Sequence, residues 1–101
     1  RQLEGMLDAA REEVAAFVGA RPEDMGFVRN ATTGVNAVLR SLRLKPGDEI
    51  LVTNHGYNAC TNVARHVTEQ AGARVVVASF PFPLAAEDEV VEAVLGAVTE
   101  H

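Results

Sequence analysis

The sequence predicts an α/β fold, an open and mostly parallel sheet with flanking helices. Two observations point there. Helical stripes alternate along the chain with short apolar runs, the pattern of strands joined by right-handed helical crossovers. The runs Ile50-Leu51-Val52 and Val75-Val76-Val77 also lack any polar alternation, which marks strands covered on both faces.

The elements follow in order. Leu3, Met6, Leu7, Ala10, Val14, Phe17 and Val18 fall on one stripe of a first helix, with Glu4, Asp8, Arg11 and Glu12 on its polar side and Gly19 as its stop. Arg21-Pro22-Glu23-Asp24 forms a turn or short helical hook, and Phe27-Val28 is expected as a short first strand. A second helix runs from about Thr33 to Leu42, burying Val35, Val38, Leu39 and Leu42. Pro46-Gly47 breaks it ahead of a strand from Glu49 to Thr53. Cys60, Val63, Ala64, Val67 and Ala71 stripe a third helix that Gly72 closes, and Arg74 to Ser79 is the third expected strand. The prolines of Phe80-Pro81-Phe82-Pro83 require an irregular extended turn. Glu87, Asp88 and Glu89 then open a last helix striped by Val90, Val91, Val94, Leu95 and Val98.

At 101 residues the chain is expected to be a single domain or part of one, and its start at Arg1 without Met suggests a piece of a larger protein. A net charge of −5 with scattered Lys and Arg argues against a nucleic-acid partner, and no apolar run reaches membrane-spanning length. A lone Cys60 excludes an internal disulfide framework and suits a reducing cytoplasm.

Candidate chemistry gathers at two loops. In Phe27-Val28-Arg29-Asn30-Ala31-Thr32-Thr33-Gly34-Val35-Asn36 a strand is expected to give way to a helix almost without a loop. The first N–H groups of such a helix, its positive dipole end and the hydroxyls of Thr32 and Thr33 make an anion site suited to a ligand phosphate. The same residues also suit a plain helix cap, the commoner use of Asn and Thr there. The second loop, Asn54-His55-Gly56-Tyr57-Asn58, follows the next strand and so shares the carboxyl-end rim where open α/β sheets bind ligands. It offers an imidazole and a phenol, either able to stack on a planar cofactor or to serve as an ordinary surface side chain.

Other motif classes are missing. There is no Gly-x-Gly-x-x-Gly, no Gly-Lys-Ser/Thr and no serine nucleophile elbow. His55, His66 and His101 lack metal-ligand spacing, and Cys60 lies on the apolar stripe of its helix as a structural thiol would.

The string from Phe27 to Arg40, the turn Leu44-Lys45-Pro46-Gly47-Asp48-Glu49-Ile50-Leu51 and the loop His55-Gly56-Tyr57-Asn58-Ala59 resemble the class V aminotransferases, in particular the isopenicillin N epimerase-like branch related to the cysteine desulfurases. The resemblance implies part of the large domain of a fold type I enzyme that binds pyridoxal 5′-phosphate, acts on an amino acid and works as a homodimer. It implies cofactor binding by Ala31 and Thr32 at the phosphate, with Thr33 adjacent, and by His55 or Tyr57 at the ring. Asn54 stands where relatives often carry an acidic residue and receives no role.

Cofactor chemistry of this kind needs a Schiff-base lysine and an Asp at the pyridinium nitrogen. The only lysine is Lys45, at the entry of the strand Glu49–Thr53. That strand is about 17 Å long at ~3.3 Å per residue, so Lys45 belongs to the opposite rim from the phosphate turn. The chain is therefore expected to be a binding portion, inactive alone, of an active longer enzyme, with the family's Lys and Asp beyond His101. The alternative is a non-catalytic α/β module that binds a phosphorylated small molecule.

Overall fold

A computed structural model describes residues 2–101 of the protein. They form two compact units, one ending at Ala31 and the other running from Thr32 to His101.

In the first unit, helix α1 spans Gln2–Val18. Gly19 ends it with a positive φ of 71°, and the Ala20 N–H reaches back to the Ala15 carbonyl at 2.9 Å, closing a Schellman turn. A single 3₁₀ turn, Pro22–Asp24, follows, and Arg21 grips Asp24 through Nε and Nη2 at 2.7 and 2.9 Å. The expected buried stripe of α1 is not covered within this unit: Ala15 is its one buried residue and Phe17 is 91 % exposed. The element α1 packs on here is a three-residue turn, which is too small to shield it.

Phe27-Val28 corrects a further expectation, because these residues are exposed and form no strand. A strand exists through its ladder partner, and two residues cannot hold an extended conformation without one. Among the described residues the only sheet is two-stranded, so the first expected strand has no ladder to join.

The second unit is built on a β-α-β crossover. Strand β1 (Glu49–Thr53) leads through helix α3 (Asn58–Ala71) to strand β2 (Arg74–Ala78), preceded by α2 (Ala31–Ser41) and followed by α4 (Asp88–Ala97). The strands pair in parallel with Glu49 opposite Arg74 and Thr53 opposite Ala78, as the unbroken apolar runs predict. Successive side chains of a strand point to opposite faces. Val75 accordingly lines a hollow with Arg65 and Thr68 of α3, whereas Val76 lines one with Ala97 at the end of α4 and the following Val98. Helices thus flank both faces. The covering is incomplete, and β1 stays half-buried along its length.

The tightest packing centres on α3. Val63, Ala64 and Thr68 are buried, and the Thr68 hydroxyl donates within its own helix to carbonyl oxygens of Ala64 and Arg65, each at 2.9 Å. Gly72 ends α3 in the left-handed region at φ 68°. There its carbonyl accepts from Gly47 N–H at 3.0 Å, fastening the turn before β1 to the end of the crossover helix. Glu89 Oε2 accepts from Ala85 N–H at 3.1 Å, a side chain reaching back over the start of α4 in the manner of a capping box.

At the amino ends of the strands, Glu49 is a charged anchor. Arg74 Nε donates to Glu49 Oε1 at 2.6 Å, Arg74 Nη2 adds a second contact, and the Thr99 hydroxyl donates to Oε2 at 2.6 Å. These donors favour the ionised form and hold the Glu49 carboxyl below the usual carboxylate range, Thr99 contributing most and Arg74 next.

Candidate functional site

The carboxyl ends of β1 and β2 lie side by side because the strands are parallel and in register. Each releases a loop there, and the two loops are joined. The ladder runs one step past β1, with Asn54 N–H donating to the Ala78 carbonyl at 3.1 Å. Beyond it the Asn54 side chain makes a two-point contact with the backbone of Phe80. Nδ2 donates to the Phe80 carbonyl and Oδ1 accepts from the Phe80 N–H, both at 3.1 Å. Only this amide orientation satisfies both partners, since the N–H can only donate and the carbonyl only accept.

His55 uses the same carbonyl. Its Nε2 lies 2.9 Å from the Phe80 oxygen. The imidazole also rests near the Phe80 ring, with centroids 4.6 Å apart and planes inclined by 32°, and Phe82 stands 6.2 Å away at 60°. Gly56 then turns the chain, its N–H donating to the Thr53 carbonyl at 3.1 Å. A Cβ at Gly56 would stand 3.2 Å from that same oxygen, so the close turn favours glycine. Tyr57 directly precedes α3, and its carbonyl accepts from Cys60 and Thr61 N–H at 3.0 and 3.1 Å. Its side chain is 69 % exposed.

The other expected residues open α2. The helix begins at Ala31, two residues earlier than its stripe suggests, so Ala31, Thr32 and Thr33 all lie in its first turn. Thr32 is half-buried, while Ala31 and Thr33 are exposed. The Thr32 carbonyl accepts from Asn36 Nδ2 at 3.0 Å, which ties the first turn to the second. An opening helical turn directs backbone N–H groups outward along its axis.

The structure brings His55 and Tyr57 into one short loop and adds a residue that the sequence does not single out, Asn54. Its partner lies 26 positions away. The one signal in the sequence is the position of an amide side chain at the end of an apolar strand, where it can extend the ladder sideways.

A parallel β-α-β crossover flanked by helices defines an α/β protein, and open sheets of that class bind ligands beyond the carboxyl ends of their strands. The aminotransferase class-V family profile matches residues 1–94. This chain belongs to that family. It is 39 % identical over 101 residues to isopenicillin N epimerase of Amycolatopsis lactamdurans, an alignment covering 97 % of this chain and 25 % of that protein. It is 37 % identical over 79 residues to a probable cysteine desulfurase of Vibrio cholerae, covering 74 % of this chain and 20 % of the relative. The hercynylcysteine sulfoxide lyase of Schizosaccharomyces pombe is 35 % identical over 71 residues, 70 % of this chain and 18 % of that one. A solved structure of a C-DES mutant, with glycine covalently linked to its PLP cofactor, superposes with a TM-score of 0.75. That match has 21 % identity over 89 % of this chain and 24 % of the other, and shows the shared fold. The chain therefore spans about a quarter or less of the length of these relatives.

Proposed function

We propose that this chain is the cofactor-cradling portion of a class V aminotransferase-like enzyme that acts on an amino acid with bound pyridoxal 5′-phosphate. The observation that carries the reading is His55, an exposed aromatic ring hydrogen-bonded to the Phe80 carbonyl and set against the Phe80 ring on the carboxyl-end rim of a parallel crossover. The cofactor supplies an electron sink when bound. The residues present suit its two ends. Backbone N–H groups of the opening turn of α2, at Ala31, Thr32 and Thr33, together with the Thr32 hydroxyl, match a phosphate dianion in charge and donor type. His55 offers a flat face to the pyridine ring. Both aromatic residues of the loop are exposed, and His55 is favoured over Tyr57 because its ring is held by a hydrogen bond to the Phe80 carbonyl.

The reading extends to the whole protein in three respects. Its Schiff-base lysine lies outside this chain, it forms a homodimer, and it resides in the cytoplasm. The relatives are named as an epimerase, a sulfoxide lyase and a probable desulfurase, so their names point to no single reaction for this chain.

The test is a spectroscopic titration of the intact protein with pyridoxal 5′-phosphate, repeated in the presence of inorganic phosphate. The reading expects saturable binding that phosphate weakens by competition. Binding of phosphate without any binding of the cofactor would replace it with a non-catalytic phosphate-ligand module. Cofactor binding indifferent to phosphate would remove the opening turn of α2 from the site.

A further inference from the structure

The Phe80 carbonyl has two lone pairs and receives two side chains, Asn54 Nδ2 at 3.1 Å and His55 Nε2 at 2.9 Å. A carbonyl only accepts, so the ring nitrogen facing it must carry the proton. In the neutral imidazole this leaves Nδ1 as a bare acceptor. His55 cannot choose this tautomer alone, because the direction of the Phe80 carbonyl comes from the irregular segment Phe80-Pro81-Phe82-Pro83, which lies outside any ladder. Asn54 sets that direction. Its amide engages both the N–H and the C=O of Phe80, a pairing that fixes the peptide's orientation as well as its distance.

We infer that Asn54 is a positioning residue: through the Phe80 carbonyl it holds His55 in the Nε2–H tautomer, with Nδ1 directed as the acceptor available to the site. Resting on the proposal that His55 faces the cofactor ring, this makes Asn54 the residue that decides which nitrogen the ligand meets. An Asp at position 54 would remove the donor to the carbonyl and set two acceptors against each other. A Ser would be too short to reach both groups of Phe80. Either change frees the peptide and with it the ring.

The experiment is long-range proton–nitrogen correlation NMR on the intact protein with ¹⁵N-labelled histidine, the His55 signals being identified by their loss in His55→Gln. The wild type is expected to show a protonated Nε2 and a bare Nδ1 in its neutral imidazole. Asn54→Asp and Asn54→Ser are expected to give a mixture of tautomers in exchange, with a circular dichroism spectrum unchanged from wild type. A wild-type His55 protonated at Nδ1 would overturn the inference without recourse to any variant. So would an unchanged Nε2–H signature in a folded Asn54→Ser. If the tautomer shifts while the visible band of bound cofactor stays the same in both variants, the positioning role holds and the placement of His55 at the cofactor ring fails.

Discussion

Arg74 and Glu49 face each other across the first rung of the parallel ladder, and the guanidinium Nε donates to Glu49 Oε1 at 2.6 Å. The Glu49 side chain is 6 % exposed while Arg74 is 70 % exposed, so a shielded carboxylate is served by a cation reaching in from solvent. Because the folded pKa of Glu49 lies below its unfolded value near 4.5, its contribution to stability is fully present above that value. It is lost as pH falls from there through the folded pKa. The intact protein should therefore lose stability in this acid window more steeply than Glu49→Gln does, as measured by urea unfolding midpoints at a series of pH values. Parallel curves for the two proteins would show that Glu49 is not linked to folding.

The Thr32 hydroxyl is proposed to donate to the cofactor phosphate. A hydrogen bond to a charged group contributes about 1.5–3 kcal/mol, so Thr32→Val, which keeps the shape and removes the donor, should weaken cofactor binding roughly ten- to a hundredfold. Thr32→Ser should restore most of it. Equilibrium dialysis of the intact protein measures both, and equal affinities for Val and Ser would exclude the hydroxyl.

His55 and Tyr57 make separable predictions. Stacking of aromatic rings adds about 0.5–1.5 kcal/mol beyond area burial, so His55→Ala should weaken cofactor retention roughly two- to tenfold and shift the visible band of the bound cofactor. Tyr57→Ala should do neither. The reverse outcome would transfer the ring-facing role to Tyr57.

Gly72 gives a test of the scaffold alone. Its φ of 68° is left-handed, and a Cβ there would make ordinary contact with Pro46 at 3.5 Å. The cost of Gly72→Ala is thus conformational rather than steric, about 1–2 kcal/mol. A matching fall in unfolding free energy with no change in cofactor affinity is the expected result. An unchanged melting temperature would mean that the end of α3 rearranges without strain.

The parallel crossover was readable because its signals are local. The apolar runs around Leu51 and Val76 have no polar alternation, and Gly72 sits where a helix must stop. Phe27-Val28 misled because apolar character alone does not supply a hydrogen-bonded neighbour. The exposed Phe17 misled similarly, since periodicity shows which face of a helix is apolar but not what covers it. Among the site residues, His55 and Thr32 stand out by their place in short motifs. The hold of Asn54 on Phe80 does not, because no local pattern encodes which backbone peptide a distant amide will meet.

The crossover is bolted at both ends, by Glu49 and Arg74 below and by Asn54 and Phe80 above, and partner positions on the two strands are offset by a constant 25 residues. Gain or loss of a single residue inside β2 would turn every later side chain of that strand to the opposite face and carry Phe80 off His55. Natural length variation in related chains should therefore avoid the two paired strands and collect outside them, as in the irregular segment 83–87, where an added residue meets no such constraint.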